Sequence, residues 1–123
     1  IFTESLSSAR NADFSPSDSA VAFGVFSNSN SGYLLWAYPW SSSTGFGTIY
    51  SSTNTNTVFA NISGGSVYQP RFHPSGNYLF IAYTLSPFAY AFPWDDVNGI
   101  GTKLADPSSL PGAAAYGVDV KVV

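Results

Sequence analysis

Cysteine and methionine are both missing from this chain of 123 residues, and histidine occurs once. Without cysteine there is no disulfide framework, no thiolate metal site and no cysteine nucleophile, so either redox compartment is compatible with folding. One imidazole and no thiolate cannot build a zinc site, and no cofactor is expected. The missing start methionine points to a processed product or a piece of a longer polypeptide. Charge is scarce too: 9% of residues carry it, against about 25% in an ordinary domain. The net charge of −3 comes from singly scattered residues with no basic patch. That removes the electrostatic basis for nucleic-acid binding and for docking a basic helix on a membrane. No apolar run approaches the roughly 18 residues that span a bilayer, so membrane insertion is not expected.

What is present is aromatic and hydroxyl-rich. Aromatics are 17% and hydrophobic residues 45%, enough for a core in a single domain. Serine, threonine and asparagine supply most of the polar surface. Solubility through hydroxyls and amides rather than charge suits a virion or extracellular surface. Eight prolines and eleven glycines argue against long helices, and no segment has a helical period.

The chain contains one pattern twice. Phe14-Ser15-Pro16-Ser17-Asp18 matches Phe72-His73-Pro74-Ser75-Gly76, and Ala37-Tyr38-Pro39-Trp40 matches Ala91-Phe92-Pro93-Trp94. Gly45-Phe46-Gly47-Thr48 then matches Gly99-Ile100-Gly101-Thr102. A period of roughly fifty residues with several short strands per unit is the signature of a propeller blade. The expected fold is all-β and propeller-like: about two four-stranded antiparallel blades, with incomplete blades at both ends. Residues 1–11 end a preceding unit, 12–69 form blade 1, 70–117 form blade 2, and 118–123 open a following unit. In blade 1 the expected strands lie at 20–26 and 33–40, with the outermost at 47–51. In blade 2 the run from Tyr78 to Tyr83 is a buried strand, Ser86-Pro87 breaks it, and residues 88–94 form the next. Insertions fall in the loops, at 27–32 and in the tract 51–65, as a repeat architecture requires.

Three sets of residues stand out for interaction. Asp13, Arg71 and Asp119 occupy matching positions one residue into each innermost strand, so neighbouring units place acid, base and acid in one layer. Arg71 is expected to bridge carboxylates on adjacent blades; the plainer alternative makes all three solvent-facing. Tyr68 and Tyr116 also match, just before each new unit. Val118, Val120 and Val122 lie in an alternating strand with no partner left in its own chain. That strand is expected to pair with another copy or with the rest of a longer polypeptide, giving a closed ring or an open filament.

The remaining candidates have simpler readings beside them. His73 could join a serine and an acid in a hydrolase, but it replaces Ser15 of the other unit within a turn, and no G-x-S-x-G elbow appears. A structural turn histidine, and no catalytic residue, is the better reading. Asp95, Asp96 and Asn98 could hold calcium, yet Asp-Asp-Val-Asn-Gly is also an ordinary hairpin loop. Trp40 and Trp94 recur and belong to the core. Trp36 and Tyr33 do not recur, and are the candidates for a glycan or receptor surface. Asn61-Ile62-Ser63 fits a glycosylation acceptor.

The run F-[SH]-P-S-x, an apolar strand, [YF]-P-W and G-[FI]-G-T resembles the WD-repeat-like β-propeller units of bacteriophage structural proteins and, more distantly, lactonase-type propellers. Trp94-Asp95 is a literal Trp-Asp pair whose counterpart is Trp40-Ser41, so the match is to a WD-like pattern. The resemblance implies many blades along one polypeptide and a non-catalytic structural component of a virion, in capsid or tail, or of a surface assembly. A carbohydrate- or receptor-binding propeller is the alternative, and a lactonase-like hydrolase the third.

Overall fold

The computed structural model describes residues 7–27, 35–50 and 67–121. Eight strands run through them in sequence order: β1 (Ser7–Phe14), β2 (Ala20–Ser27), β3 (Leu35–Ser41), β4 (Gly45–Phe46), β5 (Val67–Phe72), β6 (Tyr78–Tyr83), β7 (Ala89–Asp95) and β8 (Gly99–Ile100). They form two four-stranded antiparallel sheets, β1-β2-β3-β4 and β5-β6-β7-β8, each a simple meander. The described residues contain no helix. The fold is therefore all-β, with two blade-like units as the repeat requires.

Each shared motif has a backbone reason. In the Phe-x-Pro-Ser turns, Asp18 N donates to Ser15 O and Gly76 N to His73 O. Proline at the second turn position presets φ for this geometry. The turn then needs one left-handed residue, which is Asp18 (φ 56°) in blade 1 and Gly76 (φ 77°) in blade 2. Glycine adopts that conformation freely and aspartate is among the few other residues that tolerate it. Further on, a Cβ at Gly47 would stand 3.1 Å from the Pro39 ring, and one at Gly101 3.2 Å from Pro93. The second glycine of Gly-x-Gly thus lets the outer segment lie against the proline of [YF]-P-W.

The repeat extends to irregularities. The register of β1 on β2 slips between Ala9 and Asn11, and that of β5 on β6 between Val67 and Gln69, at matching positions. A bulge retained in both units re-aims the start of each inner strand. The outermost strand differs from the expected 47–51: it is Gly45–Phe46, only two residues long. Beyond it Gly47 N donates to Pro39 O and Tyr50 N to Ala37 O, three residues against two. Gly101 N to Pro93 O and Leu104 N to Ala91 O repeat the same mismatch. One surplus residue ends the ladder in each unit.

The sheets pack through unlike faces. Blade 1 turns Ala20, Ala22, Leu35 and Ala37 inward, and blade 2 meets them with Phe72, Leu79, Ile81, Tyr83, Tyr90, Phe92, Trp94 and Ile100. Val67 and Tyr50 complete this single core. Small against large lets the sheets interdigitate at interior density. The opposite face of blade 1 carries a second cluster, Val21, Trp36 and Tyr38, with Phe23, Trp40 and Ile49 around it.

Candidate interaction site between the blades

The polar centre of the interface is Asp96, in the turn between β7 and β8. Its Oδ2 accepts from the Ser17 hydroxyl at 2.5 Å and the Ser19 hydroxyl at 2.7 Å, both in the blade 1 turn. Its Oδ1 accepts from the indole N–H of Trp94 at 2.7 Å. The Tyr50 hydroxyl, from blade 1, donates to the Asp96 carbonyl at 2.6 Å. One residue therefore clasps a turn and a side chain of blade 1 to the buried tryptophan of blade 2. Burial pushes the Asp96 carboxyl up, but the bonds from Ser17, Trp94, Ser19 and Ser15 together outweigh it and hold it below its ordinary value.

That direction fixes a pH dependence. A carboxyl whose folded value is depressed contributes stability above its unfolded value, about 3.9, and loses it as pH falls through the lower folded value. Urea midpoints of the native chain and Asp96→Asn should differ clearly at pH 7. The gap should shrink once the pH drops below about 4. An equal gap at both pH values would exclude the charged clasp.

The inner strands meet beside it. Arg71 Nη1 lies 3.6 Å from Asp13 Oδ1, with the two side chains 39% and 21% exposed. The other oxygen, Asp13 Oδ2, accepts from the Phe72 backbone N–H at 2.7 Å. A half-exposed ion pair contributes about 0–1 kcal/mol, whereas a hydrogen bond to a charged acceptor contributes about 1.5–3 kcal/mol. Asp13→Ala should therefore lower unfolding free energy by about 2 kcal/mol and Arg71→Ala by less than about 1 kcal/mol. Equal losses in denaturant titrations would mean that the ion pair, not the backbone bond, dominates. Asp119 is exposed, and its carboxylate accepts from the N–H of Val120 at 2.9 Å. Among the described residues it makes no ion pair, so the structure joins Asp13 to Arg71 and leaves Asp119 apart.

Other candidates fall in different places. Trp36, expected on a ligand surface, is buried at 9% exposure and stacks on Tyr38 with centroids 6.5 Å apart. It lies on the second cluster of blade 1, where alternation in β3 carries it. Trp94 is buried, while Trp40 is half-buried. Tyr68 and Tyr116 meet edge to face at 4.8 Å. Val118 and Val120 are half-buried; Val118 N donates to Gln69 Oε1 at 2.9 Å, and residues 118–121 form no ladder. Tyr33, Asn61, Val122 and the tract 51–65 lie outside the described residues.

The groups that could do chemistry are turned to local structure. His73 Nδ1 accepts from the Ser75 backbone N–H at 3.1 Å and lies 2.8 Å from the Ser75 hydroxyl. The nitrogen nearest a serine is thus already taken as the acceptor of its own turn. Asp95 accepts from the backbone N–H groups of Val97 and Asn98 and from the Asn98 side chain. The Asn98 N–H bonds above all hold it below its ordinary value. Asp95 and Asp96 serve different donors, and no group of three or more metal-binding side chains occurs among the described residues. Ser41 takes the place of Asp95 in blade 1, accepting from Ser43 N at 3.2 Å.

Sequence reasoning missed the role of Asp96 and of Gly24. A Cβ on Gly24 would fall 2.8 Å from the carbonyl oxygen of Val67. The repeat alignment held one signal for Asp96: its counterpart Ser42 is uncharged. Together the fold and this interface define a class, an all-β tandem repeat whose units join through unlike faces. No protein family, curated protein or solved structure matches the chain.

Proposed function

We propose that the chain is a non-catalytic structural and interaction module, a propeller-repeat component of a virion (phage capsid or tail) or of an extracellular surface assembly. The observation that carries this reading is the interface between the blades. It is built from repeated positions and joins a small face to a large one, the arrangement of units in a series. In support, Asp13, Asp95, Asp96 and His73 each hold a turn or join the two blades. Further units come from other copies or from the rest of a longer repeat polypeptide. Val118 and Val120 lie at the junction with such a following unit. The scarcity of charge and the motif resemblance support the virion or surface setting.

The test is the mass of the native particle, by light scattering with electron microscopy on the same sample. A ring or filament of several copies is the expected result. A particle of one copy at every concentration would overturn the reading, and a hydrolytic activity abolished by His73→Ala would put a hydrolase in its place.

A further inference from the structure

The chain exposes, on its two outer faces, residues equivalent to those that join its own blades. Phe14 and Phe46 are 46% and 56% exposed and pack on the half-buried Trp40, at 5.8 and 5.0 Å. Their counterparts in blade 2 are Phe72, Ile100 and Trp94, all buried in the interface with blade 1. On the far side of blade 2, Tyr78 and Leu104 are each 40% exposed. They correspond to Ala20 and Tyr50, which cover the buried set. The pairing of Leu104 with Tyr50 is fixed by the backbone, since their N–H groups donate to the matching carbonyls of Ala91 and Ala37. The Phe14–Trp40–Phe46 edge of that face thus points outward at one end of the molecule, where Val21, Trp36 and Tyr38 are already buried, and its partner positions Tyr78 and Leu104 point outward at the opposite end.

We infer that the Phe14–Trp40–Phe46 patch of blade 1 docks on the Tyr78–Leu104 face of blade 2 in a second copy of this chain. The proposal rests on the structural-module reading and names its contact surface. The occupant follows from continuity with the internal interface: the same positions, in the same order, already bury each other once. Exposed aromatic side chains gathered in one patch are also the composition of an interface core.

The docking has a second consequence. An incoming blade 1 brings its own inner strand, β1. Its place beside β6 is held by the segment around Ala115, whose N–H donates to Tyr83 O at 3.1 Å. Val118 N is held by a side chain, Gln69 Oε1, rather than by a ladder. Residues 115–120 therefore act as a placeholder that docking displaces.

The test uses two full-length variants with changes at exposed positions, Phe46→Asp and Leu104→Asp. Sedimentation over a concentration range should show native chains growing head to tail. Each variant alone should associate roughly thirtyfold more weakly or worse, as loss of an interface anchor does. A mixture should form a particle of two copies and no larger, because each variant retains the face that the other lacks. That particle also shows that both variants are folded. Deuterium exchange at Ala115 and Val118 should speed up in the native assembly. Variants that each assemble like the native chain, no pair in the mixture, or exchange that slows or stays the same would overturn the docking geometry while leaving an assembly in place. A native chain that stays single at every concentration would overturn both the docking and the module reading.

Discussion

Trp94→Ala is expected to lower the unfolding free energy by about 4 kcal/mol, the range for deleting a buried large aromatic. Three losses combine. The ring is buried at the inter-blade face, edge-on to Phe72 at 5.0 Å and to Tyr50 at 5.2 Å. Its N–H is also a donor to Asp96, whose carboxylate would then be left to serine hydroxyls alone. That is a large share of a total stability of about 5–15 kcal/mol for an ordinary domain. Trp94→Phe separates the contributions: it retains most of the packing and should lose about 1–2 kcal/mol, the cost of a missing buried bond. Trp40→Ala supplies the comparison across the repeat. The same motif position is half-buried there, so a loss of about 1–2 kcal/mol is expected. Urea midpoints of the three variants decide the matter. Equal losses for Trp40 and Trp94 would mean that the motif stabilises each sheet separately and that the junction adds little.

Gly24→Val is the second large effect, expected near 3 kcal/mol, the upper end for overpacking. The new Cβ alone would meet the Val67 carbonyl oxygen at 2.8 Å, Val67 Cγ1 at 3.1 Å and the Pro70 ring at 3.3 Å. The oxygen belongs to the backbone of the next inner strand and cannot swing aside as a side chain tip could. The blades must separate locally, which weakens the bonds from Asn11 Nδ2 to Tyr68 O and from Phe72 N to Asp13. Gly24→Ala should lie between the native chain and the valine variant. Thermal melts in that order support the close approach; a valine variant as stable as the native chain would exclude it.

The fold was legible in the sequence because its determinants are local and occur twice. Pro16 and Pro74, the [YF]-P-W triplets and Gly-x-Gly each set a turn or strand within a few residues, so aligning the chain with itself reveals them. Asp13 and Arg71 could be brought together by the same alignment, since matching positions in neighbouring units lie side by side. The clasp could not. Ser17 and Asp96 are 79 residues apart, and Tyr50 and Asp96 are 46 apart. Neither pair sits at matching positions, so no periodicity marks them. Asp96 beside Asp95 looked like a candidate ion ligand because adjacency in sequence says nothing of which donors each carboxylate faces. Gly24 resembles any small residue in a strand until the next sheet is placed against it. The outer strand, Gly45–Phe46, is shorter than alternation suggests because the surplus residue beyond Gly47 leaves the hydrophobic pattern undisturbed while it shifts the hydrogen bonds.

That surplus residue bears on how such a chain stays in solution. With so few charges, mutual repulsion gives little protection against aggregation. The usual hazard of a sheet is an outer strand with a long row of free N–H and C=O groups, onto which a stranger can add. Here each sheet ends in a two-residue strand, and the segment beyond it turns its donors back toward its own proline and alanine carbonyls. Little straight template is left at the rim. Growth from this outer edge is discouraged by geometry rather than by charge.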